Sequence, residues 1–500
     1  MNYFDPEKLP QEQGFPPAVP AKPFFPSKKA ELLFGGGILV IGCLLCNCLF
    51  YGGLNLGFAL FFWASLLCTA TYLLVRGAKP TAYSVILLIA SLLITASFAR
   101  SDDGIVKFFL LCAVLFCTHL GLCLLAGQNR RNPKGFLCVL DVPRTVFMLG
   151  FGYLAPAFRG LKLGIQEGGT AGKKFSAVAL GLLICIPVLG IVIPLLMKAD
   201  AAFDGLLQKL PDFDLAELIV SILFGAMLAA YLYIRGTALC HAPKTNPDTK
   251  IRKGIQSLTV NTVLVAVGIV YLAYLISQLA YFSGGFSGIL PQDYTMAEYA
   301  RRGFFEMAWL CAINLGIIAL GIGLTSGSHR SPLLTRLLCL FVGIVTLFLV
   351  ASASAKMFMY IDTYGLTRLR VLTEAIMLWL GISTLIVCLW LFMPKLAYMK
   401  IVLVFALVLG AALGWADVDT VVARYNVNIY LSGDLQTVDV GYLASLGNGT
   451  TPYLLQLTQV EDEEIAQTAS NYLKSRSKNS SVADIRDWNY ADHRSDTLLK

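Results

Sequence analysis

Charge is scarce in this chain: Asp, Glu, Lys and Arg make up 14% of its 500 residues, against about 25% in a soluble globular domain. A water-facing surface of ordinary polarity cannot be built from so few charges. Catalytic signatures are missing as well. There is no HExxH helix, no GxSxG elbow, no Walker loop and no GxGxxG strand–turn–helix, so the enzyme classes that need them have no foothold. The long apolar runs lack period-2 alternation, which excludes a membrane barrel. No cleavable leader is expected, because the first apolar run is too long for a signal core and carries no clear cleavage site.

What is present is apolar sequence. Hydrophobic residues account for 57% of the chain and the mean hydropathy is +0.69. A bilayer core of ~30 Å needs ~20 apolar residues per helix, and every backbone amide in it must be paired internally. The runs near 33–51, 54–75, 81–99, 106–126, 175–197, 215–235, 257–282, 304–325, 335–358, 371–393 and 399–415 satisfy this. The expected fold class is therefore all-α, a polytopic transmembrane bundle of about eleven spans with a small C-terminal extramembrane segment. Stretch 144–166 is apolar but broken by Pro156, Arg159 and Lys162, and reads as interfacial or re-entrant.

Three regions follow: a Pro-rich arm over 1–30 (seven prolines from Pro6 to Pro26), a membrane region over 31–415 and a polar segment over 416–500. The arm has the composition of a disordered segment. Basic residues cluster in alternate loops. Arg130, Arg131, Lys134, Arg144, Arg159, Lys162, Lys173 and Lys174 lie in 127–174, and Arg235, Lys244, Lys250, Arg252 and Lys253 in 235–256. The intervening loop is acidic, with Asp200, Asp204, Asp212, Asp214 and Glu217. This alternation predicts an N-terminus in the cytoplasm and segment 416–500 on the extracytoplasmic side. The net charge of +8 is thus a topology signal, and no nucleic-acid partner is expected. The polar segment, with helices expected around 417–430 and 461–476, holds twelve acidic and seven basic residues.

Several features have both a packing and a functional reading. Cys43, Cys46 and Cys48 lie inside the first span without the further ligands a metal site needs, so packing is preferred; no metal and no cofactor is expected. His119 in the fourth span reads as a helix-to-helix hydrogen-bonding residue. Pro187 and Pro194 should bend the fifth span, and Gly410 with Gly414 forms a GxxxG that lets another helix approach. Asp102, Asp103, Asp212 and Asp214, beside turn formers, read as solvated loop residues. Charges at membrane depth are costly and hence functional suspects. They gather on the outer side as a candidate polar cluster of Asp200, Arg301, Arg302, Glu306, Lys356, Asp362, Arg368, Arg370 and Glu374. Arg302 with Glu306, and Arg370 with Glu374, stand at i,i+4 and can meet on a helix surface. The cluster is either a set of interfacial anchors or a pocket for a charged ligand, a lipid headgroup or a partner protein.

The segments LLMKADAAFDGLL (195–207), YTMAEYARRGFFEM (294–307), MYIDTYGLTRLRVL (359–372), ARYNVNIYLSGD (423–434), VDVGYLASLG (438–447) and RDWNY (486–490) resemble the bacterial multi-pass proteins catalogued as domain of unknown function 4173, a sister of 4153. Lys356 occupies a place where that family would favour Arg. The resemblance implies membership of a multi-pass family of the bacterial cytoplasmic membrane that has no assigned activity, and it brings no catalytic residues. Three readings stay open: a sensor or accessory component that binds an envelope protein or ligand on its outer face, a transporter or channel, and a membrane-embedded enzyme acting on lipid-linked or envelope substrates. The first fits the long outer segment and the missing motifs best. The oligomeric state is left open.

Overall fold

The computed structural model describes residues 28–50, 53–129, 136–155, 215–242, 256–285, 304–324, 332–479 and 485–500, with scattered positions between 188 and 199. Among the described residues every regular element is a helix. The membrane region contributes α1 (Lys28–Phe50), α2 (Leu56–Val75), α3 (Ala82–Ala96, prolonged by a 3-10 turn Ser97–Ala99), α4 (Gly104–Leu125), α5 (Leu215–His241), α6 (Ser257–Gly285), α7 (Phe304–Leu324), α8 (Leu333–Tyr364), α9 (Arg368–Phe392) and α10 (Tyr398–Ala416). Each coincides with an expected span; the expected span at 175–197, with Pro187 and Pro194, lies largely outside the described residues. Eight of the described helices are long and apolar enough to cross a bilayer, and α1 and α7 add the shorter apolar stretches Ala30–Cys43 and Glu306–Ile322. The chain is a multi-pass helical membrane protein.

Local chemistry sets the helix ends. Thr81 and Ser84 cap α3 reciprocally, a capping box that satisfies two amides. Asp103 accepts from the Ile105 and Val106 amides at the start of α4. Gly365, at φ +73°, ends α8 in a conformation that favours glycine, and Thr367 caps α9.

Close backbone approach organises the bundle. Where α1 and α5 cross, Gly42 and Gly225 face each other so tightly that a Cβ on either would collide with the other's backbone, the small-residue contact that membrane helices favour. The two helices run antiparallel, since Glu31 near the start of α1 meets His241 at the end of α5 at 2.9 Å. Phe34 stacks on Tyr72 of α2 at 4.2 Å. The Gly410–Gly414 pair brings α10 against Leu110 of α4 and Ser97 beside α3. A second core, on α6 to α9, includes Leu264, Ile318, Val342 and Met377. Within it the Tyr271 hydroxyl donates to Asn314 Oδ1 at 2.5 Å, and Asn314 Nδ2 donates to Thr346 at 2.9 Å.

After α10 come α11 (Val418–Leu431), α12 (Val440–Ser445), α13 (Thr451–Leu457), α14 (Glu463–Asn479) and α15 (Tyr490–Leu499); α11 and α14 are the two helices the sequence announces. Buried Val422, Leu443, Leu454 and Ala469 join the same apolar core as Phe58, Phe98 and Leu110 of the bundle. This tail is packed onto the bundle end formed by the starts of α2, α4 and α9. One expectation changes. Arg235, read as opening a basic loop, lies within α5, which runs six residues further to His241. Stretch 144–166 is described only to 155: a strap over 136–155 includes a π-turn, Arg144–Met148, and the turn Leu149–Gly152, and lies against Tyr231 of α5.

Candidate functional site at the bundle–tail junction

Gly365 and Thr367 place Arg368 at the first turn of α9, where its side chain enters the seam between bundle and tail. Its Nε and Nη2 donate to the two carboxylate oxygens of Asp419 on α11, at 2.7 and 2.5 Å. Such a fork is the strongest geometry for this pair. Nε also lies 3.0 Å from Asp103 Oδ2 on the bundle, and the Arg368 amide donates to the Tyr442 hydroxyl at 2.8 Å. The Asp103 side chain is 0% exposed and that of Asp419 2%, so one guanidinium neutralises two carboxylates that water does not reach. Asp419 Oδ2 further accepts from the Gly447 amide at 3.1 Å. Asp103 is therefore a buried junction residue, contrary to the solvated-loop expectation.

One turn along α4, Lys107 is buried at 5% exposure. Its Nζ donates to Asn55 Oδ1 at 2.5 Å, and Asn55 Nδ2 donates to Asp487 of the tail at 2.5 Å. The amide of Gly57 adds a bond to the Arg486 carbonyl at 2.9 Å, an approach that leaves little room for a Cβ at Gly57. Asn426 of α11 closes the seam, accepting from the Leu366 amide and donating to its carbonyl, both at 2.7 Å. Arg100 donates to the Trp415 carbonyl at 2.7 Å and lies over the Tyr490 ring at 5.3 Å. Arg476 braces the tail internally through the carbonyls of Ala444 and Leu446 and the hydroxyls of Thr450 and Thr451.

Three carboxyls at the seam, those of Asp102, Asp103 and Asp417, are held toward their protonated form. Burial, then Asp492, pushes the Asp102 carboxyl up to about 6; the residue keeps an exposed face, but its carboxyl lies against Gly447. Burial also raises Asp103 and Asp417 above the ordinary carboxylate range.

Of the candidate outer cluster, Arg368 is the residue at the centre of the junction. Arg370 turns away to the Tyr364 and Gly365 carbonyls and lies over the Tyr360 ring at 4.2 Å. Glu374 instead lies against Ser354 of α8, so the expected Arg370–Glu374 pair is not formed. Asp362 and Glu306 are exposed and Lys356 is half-buried on α8. Asp200, Arg301 and Arg302 lie outside the described residues. Sequence reasoning missed Asn55, Lys107, Asp419 and Asp487. For Lys107 a signal existed, a lone lysine in the first turn of an apolar run, four residues after an aspartate. His119 donates through Nδ1 to its own helix at Leu115, 2.6 Å away.

At the opposite end a smaller polar knot closes α1, α2 and α5. Glu31 pairs with Arg76 at 3.3 Å and His241 at 2.9 Å and accepts from the Tyr72 hydroxyl at 3.1 Å.

Four of the segments that carry the family resemblance, 359–372, 423–434, 438–447 and 486–490, meet at the junction through Arg368, Asn426, Tyr442 and Asp487. No curated protein and no solved structure matches the chain. The family model that matches is the sister of the one the motifs suggested, covering residues 82–457; the chain belongs to the family described as Domain of unknown function (DUF4153).

Proposed function

We propose that this protein is a sensor or accessory component of the bacterial cell envelope, with its tail as an outward-facing surface for an envelope protein or ligand. The observation that carries this reading is how the junction charges are used. Arg368, Asp103 and Asp419 are bound to one another across the seam, and Lys107 is tied through Asn55 to Asp487. Charges committed to holding a domain in place are not poised for acid–base work on a substrate. The arrangement fits a docked module better than an active site. In this reading residues 416–500 lie outside a plasma membrane, residues 31–415 form the membrane region and residues 1–30 are a cytoplasmic arm.

The test uses a photocrosslinking side chain introduced at exposed tail positions, Tyr472 and Ser477, in intact cells. The reading expects discrete adducts with an envelope component from these sites and none from the exposed apolar control Phe151 on the strap. Adducts from no tail position would remove it.

A further inference from the structure

Arg235 is an anomaly that the junction does not absorb. It sits in α5 with 3% of its surface exposed, inside a helix apolar enough to span a membrane. Neither Nε nor Nη2 has an acceptor. These two nitrogens form the side edge of the guanidinium, the fork that binds carboxylate or phosphate with two parallel hydrogen bonds. Among the described residues the ionisable groups that act on it are Tyr231, Cys123 and His119, none of them a carboxylate. A buried cation with an idle fork costs several kcal/mol, and is more economically explained by an anion that completes it.

The surroundings narrow the choice of anion. Arg235 lies six residues before the end of α5, about 9 Å along the axis. That is the depth at which lipid headgroups meet the hydrocarbon core. The end in question is the basic one, bearing Arg76, Lys79 and Arg144, where anionic headgroups are attracted. The strap beside Tyr231 turns Phe147, Met148 and Phe151 outward, at 61%, 69% and 64% exposure, so this flank of α5 faces lipid. The strap's hydrogen bond to Tyr231 is long, 3.4 Å from the hydroxyl to the Val146 carbonyl. The strap itself is interrupted by the π-turn at Arg144–Met148, an irregularity frequent at functional sites.

We propose that Arg235 anchors a phosphate-binding site beneath this strap, filled by the phosphate of a membrane phospholipid. The strap parts to admit the headgroup, and the Nε–Nη2 edge grips two phosphate oxygens.

The test titrates the full-length protein, stripped of lipid in a nonionic detergent, with dioleoylphosphatidylglycerol and separately with inorganic phosphate, following the unfolding temperature. Wild type should be stabilised by the lipid, and Arg235→Gln should bind it at least about tenfold more weakly, the worth of one charge-assisted pair. Without lipid, Arg235→Gln should unfold no lower than wild type, because the uncompensated cation is gone. Equal stabilisation by inorganic phosphate would keep the phosphate site but overturn a lipid as its source. The same lipid response in wild type and variant would overturn the site itself. Should Arg235→Gln not fold, Arg235→Lys, which keeps the charge and loses the fork, is titrated instead. Reduced lipid affinity then supports the proposal, and unchanged affinity overturns it.

Discussion

At the residue scale the account rests on Arg368. Replacing it with alanine leaves Asp103 and Asp419 facing each other without a cation, and breaking a buried pair in this way costs about 3 kcal/mol. The Arg368 side chain is itself 20% exposed, so the loss should fall at the lower end of that class. Arg368→Ala is therefore expected to expose the tail to trypsin while the bundle stays folded, and Arg368→Lys should lose about 1 kcal/mol through the missing fork. Digestion patterns identical to wild type would mean that the triad does not hold the tail. Arg368 was legible in the sequence because a charge at the mouth of an apolar run is conspicuous. Asp103 was not, since an aspartate before Gly104 has the composition of a solvated turn, and its burial comes from the tail, which joins the seam far along the chain. The Arg370–Glu374 spacing misled for a local reason. Gly365 leaves the end of α8 with free carbonyls, and these together with the Tyr360 ring take the guanidinium.

At the scale of elements, helix existence was written in apolar run length, whereas helix ends depended on neighbours. Arg235 reads as the start of a loop by charge alone, yet α5 continues past it to His241, which Glu31 holds. The glycine crossing of α1 and α5 gives a direct check. Gly225→Leu should force the helices apart and lower the unfolding temperature by the equivalent of about 1–3 kcal/mol. Gly316→Ala, with open space around its Cβ position, should not. Equal effects of the two substitutions would argue against the crossing.

Tail docking should also respond to pH. Asp102, at about 6, and Asp103 and Asp417, raised in the same direction, hold protons more tightly in the docked state than in a released tail. An acid raised in this way weakens docking while ionised, and stops doing so as pH falls through its docked value. Protection factors for hydrogen exchange in α11 and α13, after division by the intrinsic exchange rate at each pH, are therefore expected to rise between pH about 7.5 and about 5. Asp102→Asn should flatten much of that change. Faster opening in acid would contradict the assignment.

At the scale of the whole molecule, two polar ends flank an apolar middle. One carries Glu31, Arg76 and His241; the other carries the Arg368 triad and the Lys107 chain under the tail. The sequence conveyed the apolar middle through its long apolar runs, whereas the acidic loop read between the basic ones lies largely outside the described residues. The sequence could not convey that segments spread from 359 to 490 converge on one seam, because that depends on the tail folding back over the starts of α2, α4 and α9. Which end faces outward is the central claim of the functional proposal, and thiol labelling in intact cells tests it most directly. The tail contains no cysteine, so Ser477→Cys at an exposed position of α14 introduces a thiol there, and Lys79→Cys marks the opposite end. The account predicts that a membrane-impermeant maleimide labels the Ser477→Cys protein above the parent level in intact cells, and labels Lys79→Cys above that level only after lysis. The reverse pattern, with Ser477→Cys protected until the cells are broken, would contradict it.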